Sequence, residues 1–214
     1  MDRSRVAIVI PALNEASTIG HVVRAAGRHG VPWVVDDGSG DATAQVARDA
    51  GAIVVSHACN QGYDQALNSG FAAAYAIGCD AFVTLDADGQ HDPELLPRIL
   101  RLLENGADVV IGVRSKRARL AEHIFACVTM LRYGICDPLC GMKAYRASVY
   151  AARGHFDGYG SIGTELTLFA AARGFRLEQV PFEVRNRADN PRFGRVWRAN
   201  LRILRALALS IIRI

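Results

Sequence analysis

Ala81-Phe82-Val83-Thr84-Leu85-Asp86-Ala87-Asp88-Gly89-Gln90-His91 is the stretch from which the rest of this chain can be read. Its apolar opening has the length and composition of a buried strand, and the acids begin where that run ends. Two carboxylates separated by one residue at the mouth of a parallel sheet can serve different parts of one polyanionic ligand. Asp88 can hold a divalent cation, and Asp86 can face either that cation or a ribose. The same residues also fit a solvated strand-to-helix turn in which Asp92 and Pro93 open the next helix. The flanking segments decide between the two.

Upstream, three strand–turn–helix units precede the acidic stretch. Val6-Ala7-Ile8-Val9-Ile10 predicts a strand, Pro11-Ala12-Leu13-Asn14-Glu15 a polar turn, and the following residues a helix through about His29. Asn14 and Glu15 thus fall at the carboxyl edge of the sheet, where α/β proteins bind ligands, although helix capping accounts for Asn14 equally well. The second strand, Val31 to Val35, runs into Asp36-Asp37-Gly38-Ser39-Gly40-Asp41-Ala42-Thr43. Successive strand residues point to opposite faces, so one of the two acids, Asp37, is expected to face the cleft and meet a nucleoside. The third strand, Ala52 to Ser56, leads through Asn60-Gln61-Gly62 into an alanine-rich helix whose small residues let it lie close to the sheet. Gly62 either leaves room for a nucleotide to approach the backbone or simply serves the turn. No GxGxxG follows the first two strands, which argues against a dinucleotide cofactor.

Downstream, a helix from Asp92 or Pro93 to about Glu104 and a strand from Ala107 to Gly112 complete a mostly parallel, βα-repeating sheet. The second half is less regular. Arg114, Lys116, Arg117 and Arg119 form a cationic cluster within a mixed stretch, Ser115 to Arg132, that suits an acceptor loop or a solvated face. Cys136 to Arg146 reads as a turn and a short strand, followed by a helix near Ala147 to Arg153, a glycine-rich loop to Gly163, and a helix from Thr164 to Gly174 that carries Glu165 in its first turn. Leu177 to Val184, interrupted by Pro181, predicts an edge strand or a bulge. In the closing helix Arg195, Arg198, Arg202 and Arg205 share one face, while Trp197, Leu201, Leu204, Leu207 and Ala208 occupy much of the rest. Such a helix can lie in an anionic membrane interface or cover the sheet.

With 214 residues, half of them hydrophobic, and 20 glycines, the chain fits one compact α/β domain and is not disordered. The formal charge is +4, carried almost wholly by arginine, since Lys116 and Lys143 are the only lysines. Arginine suits bidentate phosphate contact. No secretory signal opens the chain and no run reaches bilayer-spanning length, so a cytoplasmic location is expected. The five cysteines, an odd number with no CxxC, predict free thiols rather than a disulfide or zinc site.

Several of these segments together resemble the family 2 glycosyltransferases of GT-A fold, especially the branch that transfers sugars to dolichyl or polyprenyl phosphate. They are Ile10 to Glu15, Val35 to Thr43, Leu85 to His91, Asp137-Pro138-Leu139-Cys140-Gly141-Met142-Lys143, and Gln179 to Val184, in family order over about 180 residues. The resemblance implies a single GT-A domain with a Rossmann-like, mostly parallel sheet: a nucleotide half, 1–112, an acceptor half, 113–195, and an amphipathic helix, 196–214. It implies that Pro11, Ala12, Glu15 and Asp37 line the nucleoside pocket. It also implies that Asp86 and Asp88 form the DxD site, with Asp88 the stronger ligand for Mg²⁺ or Mn²⁺ and Gln90 near the diphosphate or metal. Two departures stand out: Tyr63-Asp64 replaces a basic residue after the third-loop glycine, and the Gly-x-Ser-Lys stretch of many relatives becomes Asp189-Asn190-Pro191-Arg192-Phe193-Gly194-Arg195.

The expected activity is inverting, metal-dependent sugar transfer from a UDP- or GDP-sugar to polyprenyl phosphate, at the cytoplasmic face of the inner membrane. Glu165 is the expected general base, or else a capping or ion-paired acid, and Arg114, Arg187, Arg192 and Arg195 are expected to bind an acceptor phosphate. A glycan or small-molecule hydroxyl is the alternative acceptor. A nucleotidyltransferase and a non-catalytic nucleotide-binding or membrane-scaffold protein are the competing functions. No nucleic-acid partner is expected, and a homodimer is compatible with the pattern.

Overall fold

The computed structural model describes residues 1–89, 91–115, 117, 119–183 and 196–213. Seven strands, β1 (Val6–Ala12), β2 (Val31–Asp36), β3 (Ile53–Ser56), β4 (Ala81–Thr84), β5 (Val109–Arg114), β6 (Lys143–Arg146) and β7 (Leu177–Phe182), form one sheet in the order β3-β2-β1-β4-β6-β5-β7. All neighbours are parallel except β6, which runs antiparallel to both β4 and β5. The carboxyl ends of β1, β2, β4 and β5 therefore share one edge, and β6 starts there: Lys143 pairs with Thr84. This is a mixed α/β sheet, mostly parallel, as the resemblance implies.

The strand alternation fills two cores. Val6, Ile8 and Ile10 enter one cluster with Ile19, Val83 and Leu85, while Ala7 and Val9 enter the other with Phe71, Phe82 and Tyr145. Helices α1 (Ile19–Ala26), α2 (Thr43–Asp49) and α4 (Leu96–Glu104) contribute to the first; α3 (Tyr63–Ala76), α5 (Leu120–Tyr133), α6 (Ala147–Arg153), α7 (Glu165–Ala172) and α8 (Val196–Arg213) contribute to the second. Gly70 shows how close α3 lies to the sheet, because a Cβ there would sit 2.4 Å from Val9 Cγ1.

Three departures from expectation bear on the site. Strand β1 continues through Pro11 and Ala12. Pro11 shares the parity of Val9, whose carbonyl faces β4 and accepts from Leu85; β4 has ended at that level, so the missing proline N–H leaves no ladder bond broken. Most of the segment Ser115–Arg132 belongs to a 14-residue helix, α5 (Leu120–Tyr133), where only a mixed loop or face was expected. Strand β5 starts two residues later than expected and reaches Arg114, its edge partner β7 carrying Pro181 where an edge tolerates it.

Candidate functional site

The first two turns at the carboxyl edge are stitched together by their own polar residues. Asn14 adopts φ 52°, a left-handed conformation that asparagine tolerates; its amide donates to Ser39 Oγ at 2.9 Å, and its Oδ1 accepts from the Gly40 amide at 2.8 Å. The Glu15 amide donates to Thr43 Oγ1 at 2.8 Å, and Thr18 Oγ1 donates to the Glu15 carboxylate at 3.1 Å. Pro11 and Ala12 lie beside this knot at the end of β1.

Asp37 joins the second turn to the third. Its Oδ1 accepts from the Gln61 amide at 2.8 Å and lies 2.7 Å from His57 Nδ1, while Oδ2 accepts from the Gly62 amide at 2.8 Å. His57 Nε2 is in turn 2.9 Å from Ser69 Oγ on α3. Of the roughly four acceptor positions of a carboxylate, three are thus taken within the protein, and Asp37 as a whole is only 4% exposed. Gly62 has φ 95°, and a Cβ there would meet nothing within 4 Å, so the constraint is the backbone conformation and the space above it is open.

Asp86 and Asp88 follow β4 at the same edge. The Asp86 side chain is 32% exposed, and its Oδ2 lies 3.4 Å from Nδ1 of the buried His91. Beneath it runs the Cys140-Gly141-Met142 turn so closely that a Cβ on Gly141 would fall 2.4 Å from Asp86 Oδ2. Thr84 Oγ1 fixes that turn by donating to the Gly141 carbonyl at 2.6 Å and accepting from the Lys143 amide at 3.0 Å. Asp88 is half-exposed, followed by Gly89 at φ 74°. Among the described residues no group of three or more His, Cys, Asp or Glu is arranged to hold a metal unaided. Two oxygen donors at an open edge fit a hard cation, Mg²⁺ or Mn²⁺, that completes its shell with phosphate and water, and do not fit a closed zinc site.

Tyr63 and Asp64, at the start of α3, form the next wall. A Cβ on Gly163 would lie 3.3 Å from the Tyr63 ring, so the ring covers that turn. Tyr63 as a whole is 38% exposed, but desolvation at its hydroxyl end, with Asp86 and Asp64 nearby, pushes that hydroxyl well above its usual range. Lys143 reaches the same place, donating from Nζ to the Gly163 carbonyl at 2.6 Å; burial pulls its pKa down to about 8. The sequence alone assigns these residues no role. Their partners are distant along the chain, and only the Tyr63-Asp64 departure from the family pattern marked the place.

Two residues expected on the acceptor side are engaged with other protein groups. Glu165 is wholly buried at the start of α7, with Oε1 accepting from Arg153 Nε at 3.0 Å and lying 2.8 Å from His155 Nε2, and Oε2 accepting from the Gly158 amide at 2.6 Å. Burial alone would raise its pKa, but the Gly158 amide and the Arg153 and His155 side chains outweigh it and hold the carboxyl below its usual value. Such an acid is a poor proton acceptor and reads as the ion-paired alternative. Arg114 is likewise engaged: its Nε and Nη2 grip Asp137 at 2.8 and 2.9 Å, and Nη2 also meets Glu122 at 3.3 Å. It braces β5 against the Asp137 turn. Gln90, Arg187, Arg192 and Arg195 lie outside the described residues.

Two helices at this end of the molecule leave apolar side chains uncovered. Along α5, Leu120, Ile124, Cys127 and Leu131 are exposed; along α8, Trp197, Leu201, Leu204, Ala208 and Ile211 are, and α5 packs against α8. No described helix is long and apolar enough to cross a membrane.

The chain is similar to several characterised proteins. It is 32% identical to the dolichyl-phosphate hexose transferase of Haloferax volcanii, covering 85% of this chain and 83% of that one. It is 33% identical to the undecaprenyl-phosphate 4-deoxy-4-formamido-L-arabinose transferase of Edwardsiella ictaluri over 70% of this chain, and spans about half, 51%, of that protein's length. The fold is similar to that of glucosyl-3-phosphoglycerate synthase from Mycobacterium tuberculosis, solved with Mn²⁺, uridine diphosphate and phosphoglyceric acid, with a TM-score of 0.77 at 24% identity over 100% of this chain and 80% of that one. Residues 7–125, which hold the stitched turns, Asp37 and the acidic pair, match the sequence model described as glycosyl transferase family 2, and the chain belongs to that family of glycosyltransferases.

Proposed function

We propose that the protein transfers a sugar, with inversion, from a UDP- or GDP-sugar to the phosphate of a polyprenyl phosphate. The observation that carries the choice of acceptor is the closure of Glu165. A hydroxyl acceptor needs a general base, whereas a lipid phosphate arrives already ionised and needs positioning and positive charge. The relatives named for dolichyl-phosphate and undecaprenyl-phosphate transfer support the same acceptor class.

On this reading Pro11, Ala12, Asn14 and Glu15 border the nucleoside, Asp37 uses its remaining acceptor position toward the base, and the open space above Gly62 admits the nucleotide. Asp88 and Asp86 hold Mg²⁺ or Mn²⁺ with the donor diphosphate, Asp86 alternatively meeting the ribose, and Gln90 lies near the same group. The cation supplies charge neutralisation as the nucleoside diphosphate leaves. Arg187, Arg192 and Arg195 supply positive charge to the acceptor phosphate.

The uncovered stripes of α5 and α8 support contact with an anionic bilayer, because α8 carries Arg198, Arg202, Arg205 and Arg213 and no acid. The enzyme then works at the cytoplasmic face of the inner membrane, where the lipid acceptor is presented. The test is to incubate the protein with a panel of UDP- and GDP-sugars, Mn²⁺ or Mg²⁺, and either short polyprenyl phosphates or glycan acceptors, and to weigh the products. A polyprenyl-phosphate sugar formed only with metal supports the proposal. Transfer to hydroxyls alone, or transfer of a nucleotidyl group, refutes it.

A further inference from the structure

We propose that Asp64 is a positioning residue that holds the 157–163 loop as the acceptor-side wall of the site. The inference rests on the proposed reaction for its consequence, but not for its geometry. The Asp64 carboxylate leaves the start of α3 and accepts from two consecutive amides of a segment about a hundred residues away, Gly163 at 2.6 Å and Ile162 at 3.2 Å.

Those amides point one way because the loop turns backward there. Ile162 sits at φ 57° and Gly163 at φ 69°, both left-handed, and Gly160 at φ 73° is left-handed as well. For a β-branched residue this conformation is strained, and it persists only where surrounding bonds impose it. Three groups impose it here. Asp157 gathers the amides of Tyr159, Gly160 and Ser161 at 3.0, 2.6 and 2.8 Å, and Lys143 Nζ holds the Gly163 carbonyl at 2.6 Å. Asp64 takes the two amides between those anchors. The other two clamps belong to the loop itself or to β6, whereas Asp64 belongs to the helix whose preceding glycine is bound by Asp37. The nucleoside side and the acceptor side are thereby joined through about three residues, Gly62 to Asp64.

Asp64 is also held in a state that does not favour stability. Burial and the neighbouring Asp157 push its carboxyl up to about 6, against the pull of the two amides and Lys143. The native state therefore binds more protons than the unfolded chain between about pH 4 and 6, and stability falls as pH rises through that window. Above it, the ionised group clasps the loop at a standing cost, as expected of a group kept for positioning. The charged groups acting on it are Asp157 from the loop and Lys143 from β6, with Asp86 acting on the adjacent Tyr63.

The experiment compares wild type with Asp64→Asn, which keeps the size but offers one acceptor oxygen where two amides need one each. Hydrogen exchange of the segment 157–164 is followed from pH 5 to 8 and expressed as protection factors, with thermal unfolding and UDP or GDP binding measured alongside. In the wild type, protection of Ile162 and Gly163 should rise as pH drops through about 6, because the clasped loop, which brings burial and Asp157, holds Asp64 at the higher value and so takes up a proton on closing. In Asp64→Asn it should be lower by about tenfold at pH 7.5, without that pH step, while the melting temperature stays within about 4 °C of the wild type, relief of the buried charge offsetting the weakened amide bonds, and nucleotide affinity stays unchanged. The Michaelis constant for a short polyprenyl phosphate should rise by about tenfold with the donor constant unaltered. Equal loop protection in the two proteins overturns the clasp. So does loss of protection across the whole molecule, and a loosened loop with unchanged acceptor affinity overturns the positioning role. If no sugar transfer to any lipid phosphate occurs, the proposed reaction fails, and the exchange data still decide whether Asp64 clasps the loop.

Discussion

Gly141 lies so close beneath Asp86 that its single hydrogen carries a prediction. Replacing it by alanine puts a methyl group 2.4 Å from Asp86 Oδ2, so the acid must move away from its place beside Asp88. Gly141→Ala should fold with nearly wild-type stability and lose about a hundredfold in turnover, as displacements of about 1 Å do at positioned sites; a kinetic assay beside a melting curve separates the two effects. Asp37 makes a contrasting case. Asp37→Ala strips partners from two loop amides and from His57, so it should cost about 2–4 kcal/mol in chemical denaturation as well as weaken nucleotide binding. The sequence shows that Asp86, Asp88, Asp37 and Glu15 gather at one edge, because each follows a strand in a parallel sheet. It does not show that Glu165 and Arg114 are consumed internally. Their partners, His155 and Arg153 for one and Asp137 for the other, are set by loop closures that no local periodicity encodes.

The elements follow the same division. Strands β1 to β5 and helices α1 to α4 are legible because each has one hydrophobic period and a polar turn. Helix α5 is not, because it has two apolar faces: Ala121, Phe125, Ala126 and Thr129 face the core while Leu120, Ile124, Cys127 and Leu131 are exposed, which blurs the period. The junction of β5 with the turn before β6 depends on a buried ion pair. Arg114→Ala leaves Asp137, 1% exposed, as an unpaired buried carboxylate and should destabilise the protein by about 3–5 kcal/mol, read as a lower denaturation midpoint. Burial raises the Asp137 pKa, but the Arg114 bonds outweigh it and lower the carboxyl below its usual value. The stabilisation is therefore present above about pH 4, the unfolded value, and is lost as pH falls through the lower folded value. The wild type should show this acid-side loss of stability, and Arg114→Ala should lack most of it.

At the scale of the whole molecule, the acidic edge and the paired helices α5 and α8 ask for two environments, a water-borne nucleotide and an anionic surface. Flotation with vesicles containing phosphatidylglycerol should carry the protein, and neutral phosphatidylcholine vesicles should carry much less. Leu131→Glu with Leu201→Glu should abolish flotation, and reversing Arg198, Arg202 and Arg205 should weaken it in a salt-dependent way, with folding checked by circular dichroism. If the glutamates instead break a dimer seen by sedimentation and leave flotation unchanged, the stripes meet a second copy and the membrane proposal fails.

The central claim is that the turn at Asp86 and Asp88 binds the donor diphosphate through a divalent cation. Calorimetric titration of UDP and GDP into the wild type and Asp88→Ala, with Mn²⁺ or with a chelator, measures it directly. The account predicts binding of one or both nucleotides by the wild type that weakens at least about tenfold on chelation, and Asp88→Ala affinity that is weak and indifferent to metal. Metal-independent binding, or equal metal dependence in Asp88→Ala, would contradict it.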